Sequence, residues 1–142
     1  MGKGRTPKWL YLVAALALIW NALGCMAFVQ QAMLSDAQID ALPAAEAALY
    51  RGMPMWATIA FAVAVFGGAT GSLALLFRQR FALILFTASL LGVLLQMFHL
   101  FILARGVEVL GAGALTMPGM IIVVAFALVW LARTAARRGW LD

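Results

Sequence analysis

The sequence predicts an all-α membrane protein, a bundle of four transmembrane helices with a short amphipathic cap between helices 1 and 2. Of its 142 residues, 66% are hydrophobic and 11% are charged, whereas soluble domains are about half apolar and a quarter charged. Four apolar runs are long enough to cross a bilayer, at residues 9–29, 54–77, 81–104 and 115–132. We therefore expect residues 1–142 to form one membrane domain in contact with the lipid bilayer.

The first span, residues 9–29, follows a basic amino terminus. A signal peptide is a poorer interpretation, because the apolar run is longer than a signal core and continues past Cys25 without a cleavage site. Asn21 is costly to expose to lipid, so it is expected to point into the bundle. Gly24, one turn later, would let a neighbouring helix approach closely.

The cap is predicted at residues 34–50, within the one substantial polar segment of the chain. Ser35 fits the N-cap of a helix, and Gln38 three residues later completes a capping box. Pro43 is expected to interrupt this helix or to start a second short one. The cap is expected to lie on the membrane surface.

The second span, residues 54–77, opens with Pro54 and Trp56 and carries a run of small residues at its centre. Small residues spaced four apart allow helix backbones to approach closely. Packing within the bundle is the simpler interpretation of this run, and a homodimer interface is the alternative. The run contains Gly67, Gly68, Gly71 and Ser72.

The third span, residues 81–104, carries one polar stripe, formed by Ser89, Gly92, Gln96 and His99. Their spacing places them on one helix face, and neighbouring helices must cover that face because lipid cannot satisfy it. The connection at residues 106–117 is Gly-rich and still apolar, so it fits either a surface loop or a partly buried re-entrant turn.

The basic residues predict the orientation of the chain. Because cytoplasmic loops are enriched in lysine and arginine, both termini are expected in the cytoplasm and the cap outside it. Only Arg51 and Arg105 fall on the cap side. The basic residues on the opposite side are Lys3, Arg5, Lys8, Arg78, Arg80, Arg133, Arg137 and Arg138.

The same topology places several polar and aromatic side chains in the outer half of the bilayer. We expect a polar pocket under the cap, with Asn21, Gln96 and His99 facing one another or a common ligand. Its aromatic walls would be Trp20, Tyr50 and Trp56. The alternative is that these groups form only interhelical hydrogen bonds, which stabilise packing by about 0.6 kcal/mol each.

Several chemistries are disfavoured. No Asp, Glu, Lys or Arg lies inside a predicted span, so the carboxylate of many small cation-coupled exporters is missing. One histidine and one cysteine cannot build a metal site without other chains, and no catalytic set is present. We expect no enzymatic activity and no cofactor. A nucleic-acid partner is a poor interpretation of the net charge of +5, since the basic residues mark topology.

The first three spans contain four further patterns, Trp20-Asn21-x-x-Gly24, Trp56-x-Thr58-x-Ala60-Phe61-Ala62, Val65-Phe66-Gly67-Gly68-x-x-Gly71 and Gly92-Val93-x-x-Gln96-Met97-x-His99. Together they resemble a group of small four-helix inner-membrane proteins of bacteria, whose members often carry automatic labels such as "hypothetical protein" or "sugar transporter". The resemblance implies the fold and a bacterial inner-membrane location, and it brings no functional residue with it.

These observations favour a small non-enzymatic membrane protein that binds a small or lipid-like ligand in an outward-facing pocket, or that serves as an accessory subunit of a membrane assembly with a partner protein. One alternative is a small-solute transporter working as a homo-oligomer through the Gly67–Ser72 face. A second is a quinone- or haem-associated subunit of a redox complex.

Overall fold

The computed structural model describes residues 5–142, with the backbone alone at Val109, Leu110, Ala112 and Ala114. Lys3, one of the basic residues expected on the cytoplasmic side, lies outside this range. Seven α-helices follow one another: α1 (Lys8–Ala32), α2 (Asp36–Asp40), α3 (Ala44–Arg51), α4 (Met55–Leu76), α5 (Ala82–Phe98), α6 (Gly106–Leu110) and α7 (Thr116–Arg137). A π-helical turn, His99–Leu103, extends α5, and a 3-10 turn, Ala112–Leu115, precedes α7.

Four of these elements are long and apolar enough to cross a membrane, namely α1, α4, α5 with its π turn, and α7. The shortest has 22 residues, which at 1.5 Å per residue is about 33 Å, against a hydrocarbon core of about 30 Å. The fold is therefore the predicted four-helix membrane protein. The fourth span is longer than predicted, since α7 continues past Ala132 to Arg137.

The long helices pack in the order α1, α4, α5, α7. Both faces of α4 are lined by small residues, which explains why it can sit between two neighbours. A Cβ atom at Gly68 would collide with Asn21 of α1, and one at Gly71 would press on Phe86 of α5. On α5, a Cβ at Gly92 would come within 2.6 Å of the backbone oxygen of Ala60. These positions set the close approach of the helices.

The short helices α2, α3 and α6 cover one end of the bundle, which we call the cap end. The predicted capping box is confirmed: the Gln38 N–H donates to Ser35 Oγ, and the Ser35 N–H donates to Gln38 Oε1. Pro43 separates α2 from α3 and is the N-cap of the latter. Arg51 at the end of α3 pairs with Asp40 of α2, so the two short helices are tied together.

The opposite end, which we call the terminal end, holds residues 5–8, the α4–α5 turn and residues 138–142. The last residues pair with the turn: the Arg80 N–H donates to the Asp142 carbonyl, and the Asp142 N–H donates to the Arg78 carbonyl. Leu141 is buried there. Leu10 and Ala14 of α1 and Leu131 of α7 belong to the same apolar cluster, so the bundle is closed at the terminal end.

Candidate ligand cavity between α1 and α7

The polar stripe of α5 is largely covered, as predicted from its sequence. Ser89 is 6% exposed and His99 is 7% exposed. The Ser89 hydroxyl donates to the Ala64 carbonyl of α4 at 2.5 Å, and Gly92 lies directly against α4. Ser89 and Gly92, the part of the stripe nearer the terminal end, thus pack α5 against α4.

Asn21 of α1 points into the bundle, as predicted, and is 9% exposed. Its amide Nδ2 donates to the Ala17 carbonyl one turn earlier, at 2.9 Å. Its Oδ1 lies 2.0 Å from the place where a Cβ of residue 68 would be. A glycine at position 68 is therefore what admits this polar side chain between α1 and α4.

Beyond the closed terminal end, a cavity of about 340 Å³ lies between α1 and α7. We call it the membrane cavity. Its floor is formed by α4 and α5, with residues such as Phe61, Val65 and Phe86. Trp20 to Ala27 of α1 form one wall, and Met117 to Leu128 of α7 form the other. Because α1 and α7 would have to meet to close the bundle here, the side of the cavity between them faces the surrounding lipid.

The polar groups of the membrane cavity are unusual for a membrane span. The Gln96 amide of α5 lines it and has no hydrogen-bond partner among the described residues. The indole N–H of Trp20 on the facing wall also has none. An unsatisfied polar group in an apolar setting costs several kcal/mol. Both side chains are half-buried, so the cavity offers an amide and an N–H donor without a protein partner to whatever enters it.

A second cavity, which we call the cap pocket, lies under α3 and measures about 700 Å³. His99 and Trp56 line it, with their rings edge to face and centroids 5.5 Å apart. Glu108 lies at its edge and pairs with Arg105 at 3.6 Å. The His99 ring has no hydrogen-bond partner among the described residues.

The residues that the sequence analysis assigned to one pocket thus lie in two places. Asn21, Gln96 and Trp20 line the membrane cavity, whereas His99 and Trp56 line the cap pocket. Tyr50 on α3 is half-buried and belongs to neither lining. His99 is one turn nearer the cap than Gln96, and that turn brings it to the level of α3.

The α7 wall and the Phe86 floor of the membrane cavity were not predicted from the sequence. Ile121, Val124 and Ala125 are apolar residues in an apolar helix. In a membrane span the lipid-facing and interior faces are both apolar, so hydropathy gives no signal that separates them.

The small-residue face of α4 is occupied within the chain. Gly67 lies against Leu85 and Ser89 of α5, and Gly68 lies against Asn21 of α1. Ser72 is fully buried and donates to the Gly68 carbonyl. Gly24 faces Val65 of α4 in the same way. A homo-oligomer would therefore have to use another surface.

Residues 5–142 contain no group of three histidine, cysteine, aspartate or glutamate side chains that could hold a metal ion. The Cys25 thiol donates to the Val65 carbonyl at 3.4 Å, which gives it a structural contact. The lining of the membrane cavity is apolar apart from Asn21, Ser89, Gln96 and the indole N–H of Trp20. Comparison with protein-family models, with curated proteins and with solved structures finds no match to this chain.

Proposed function

We propose that this protein is a non-enzymatic membrane protein that binds a lipid-like ligand in the membrane cavity between α1 and α7. The observation that carries the proposal is the Gln96 amide, which lines an apolar cavity inside a membrane span without a protein partner. A ligand that reaches the cavity from the bilayer and hydrogen-bonds to Gln96 would remove the cost of that exposed amide.

The size of the membrane cavity suits a small molecule. The cavity measures about 340 Å³, at the lower end of the range of about 300–1,000 Å³ for small-molecule sites. Its walls are apolar, as the tail of a membrane lipid requires.

We further propose that the protein lies in a bacterial inner membrane, with both termini in the cytoplasm and the cap outside it. The charges of the two ends support this orientation. Lys8, Arg133, Arg137 and Arg138 stand at the terminal end, where cytoplasmic loops carry their excess of basic residues. The cap end has the balance reversed, with Asp36, Asp40, Glu46 and Glu108 against Arg51 and Arg105.

Gln96→Leu tests the proposed site. Leucine has a similar volume and removes both the donor and the acceptor, so the retained lipid should fall by about twofold to tenfold, the equivalent of one or two neutral hydrogen bonds. The measurement is lipid mass spectrometry on organic extracts of the protein purified in a mild detergent, expressed as lipid per protein.

Gln30→Leu is the matched control, because Gln30 is exposed on α1 and outside the membrane cavity. It should retain lipid as the unsubstituted protein does. Equal lipid retention by Gln96→Leu and Gln30→Leu, with both variants eluting as a folded species, would remove Gln96 from the site and the proposal with it.

A further inference from the structure

We propose that the ligand of the membrane cavity is an uncharged lipid, bound with a hydroxyl or carbonyl end at Gln96 and its hydrocarbon directed toward the terminal end. This inference rests on the proposed function and narrows its ligand class. It follows from three properties of the cavity: its charge, its shape and the positions of its polar groups.

The first property is charge. Among the described residues that line the membrane cavity there is no aspartate, glutamate, lysine, arginine or histidine. A phosphate, carboxylate or ammonium group placed beside Gln96 would lose its hydration and gain no counter-ion, a loss that neutral hydrogen bonds do not recover. The alternative for a charged lipid is to keep its head at the membrane surface. Gln96 lies seven residues below the end of the span at Leu103, or about 10 Å, so a charged group held at the surface would not itself reach Gln96.

The second property is shape. The floor on α5 extends from Phe86 to Gln96, ten residues or about 15 Å along the helix axis. The membrane cavity is therefore an elongated slot, in which a hydrocarbon chain would run parallel to the helices.

The third property is the arrangement of polar groups, which gives the slot a direction. Gln96 offers two N–H donors and one carbonyl acceptor at the end nearer the cap. The facing wall carries the Trp20 indole N–H, also without a partner. At the other end of the slot stand Phe86 and Leu128, which have only apolar side-chain atoms to offer. A ligand with a neutral oxygen at one end and hydrocarbon at the other matches this gradient.

The experiment uses the full chain in detergent and two lipid probes, titrated and read by native mass spectrometry. The probes are 1-monooleoylglycerol and 1-oleoyl-lysophosphatidylglycerol, which share one chain and differ in charge. We expect monooleoylglycerol to bind at least tenfold more tightly than lysophosphatidylglycerol, and Gln96→Leu to weaken it by about twofold to tenfold.

The other outcomes separate this inference from the proposed function. Lysophosphatidylglycerol binding as tightly as monooleoylglycerol and depending on Gln96 would overturn the uncharged head and leave the site in place. Binding of neither probe, or binding that Gln96→Leu leaves unchanged, would overturn both this inference and the proposed function at Gln96.

Discussion

At the scale of single residues, polar side chains within the spans lie inside the bundle because lipid offers them no hydrogen-bond partner. Asn21, Ser89 and His99 are all nine-tenths or more buried, as their cost in hydrocarbon predicts. The hydrogen-bond partners of these side chains could not be predicted in the same way. Asn21 donates to its own helix and rests on Gly68, and Ser89 donates to a backbone carbonyl. A sequence identifies the polar group but not the carbonyl that accepts its hydrogen bond, because every residue supplies such a carbonyl.

The contact between Gly68 and Asn21 gives a prediction at this scale. Gly68→Ala places a methyl group 2.0 Å from Asn21 Oδ1, so the amide must turn away and give up its bond to Ala17. We expect a loss of about 1–3 kcal/mol in the free energy of unfolding, as for other overpacked cores. Thermal denaturation in detergent, followed by circular dichroism, measures the loss.

Two further variants isolate the cause of that loss. Gly119→Ala is the matched control on α7, since nothing lies within 4 Å of its added Cβ. In an Asn21→Ala background the collision is absent, so Gly68→Ala should cost much less there, and the two substitutions should be strongly coupled. If Gly68→Ala were equally destabilising with and without Asn21, the contact would not explain the glycine.

At the scale of elements, helix types and starts were largely predictable. The capping box at Ser35 and the break at Pro43 depend on local chemistry, which a sequence displays directly, and both are present. The π turn at His99–Leu103 was not predicted. It is one turn of widened helix in an apolar run, and its residue types resemble those of the regular helix before it.

The end of α5 also explains why the predicted single pocket is divided. Gln96 and His99 are three residues apart and share a face of the helix, and His99 lies about 4.5 Å nearer the cap. That difference is enough for α3 and Trp56 to enclose His99, while Gln96 stays level with α1 and α7. The position of a residue along one helix can be predicted from sequence. The depth to which α3 reaches beside that helix cannot.

The prediction at the scale of elements concerns the side of the membrane on which the cap helices lie. With Cys25→Ala as background, Ala41→Cys at the end of α2 and Gln79→Cys in the α4–α5 turn each introduce one exposed thiol. A membrane-impermeant maleimide added to intact cells should label Ala41→Cys and spare Gln79→Cys. Labelling of both in lysed cells is the control. The reverse pattern in intact cells would contradict the proposed orientation.

At the scale of the whole molecule, the four spans were predicted to within a few residues at most ends, because span length is fixed by the bilayer. The arrangement of the spans around one another was not. Gly67, Gly68 and Gly71 predict close helix packing but do not identify the partner helix, which the sequence alone leaves open between this chain and a second copy. In the structure Asn21 of α1 lies against Gly68, and Phe86 of α5 lies against Gly71. The membrane cavity follows from that arrangement, so no local pattern predicted it.

The membrane cavity distinguishes this bundle from one whose four helices pack together along their whole length. At the terminal end, α1 and α7 join one apolar cluster that includes Leu10 and Leu131. Toward the cap, the same two helices stand on opposite sides of about 340 Å³. We propose that a lipid occupies that space, and the proposal concerns the shape of the molecule more than any single side chain.

Filling the cavity is the most direct test. Ala27→Phe adds an aromatic ring on the α1 wall of the membrane cavity, whereas Ala22→Phe adds the same ring at an exposed position of α1 outside the lining. Native mass spectrometry of the two variants and the unsubstituted protein, each purified in the same mild detergent, gives the fraction that retains a bound lipid. We predict that Ala22→Phe retains it and that Ala27→Phe loses most of it while staying folded. Equal retention by the two variants would contradict the claim that the space between α1 and α7 is the binding site.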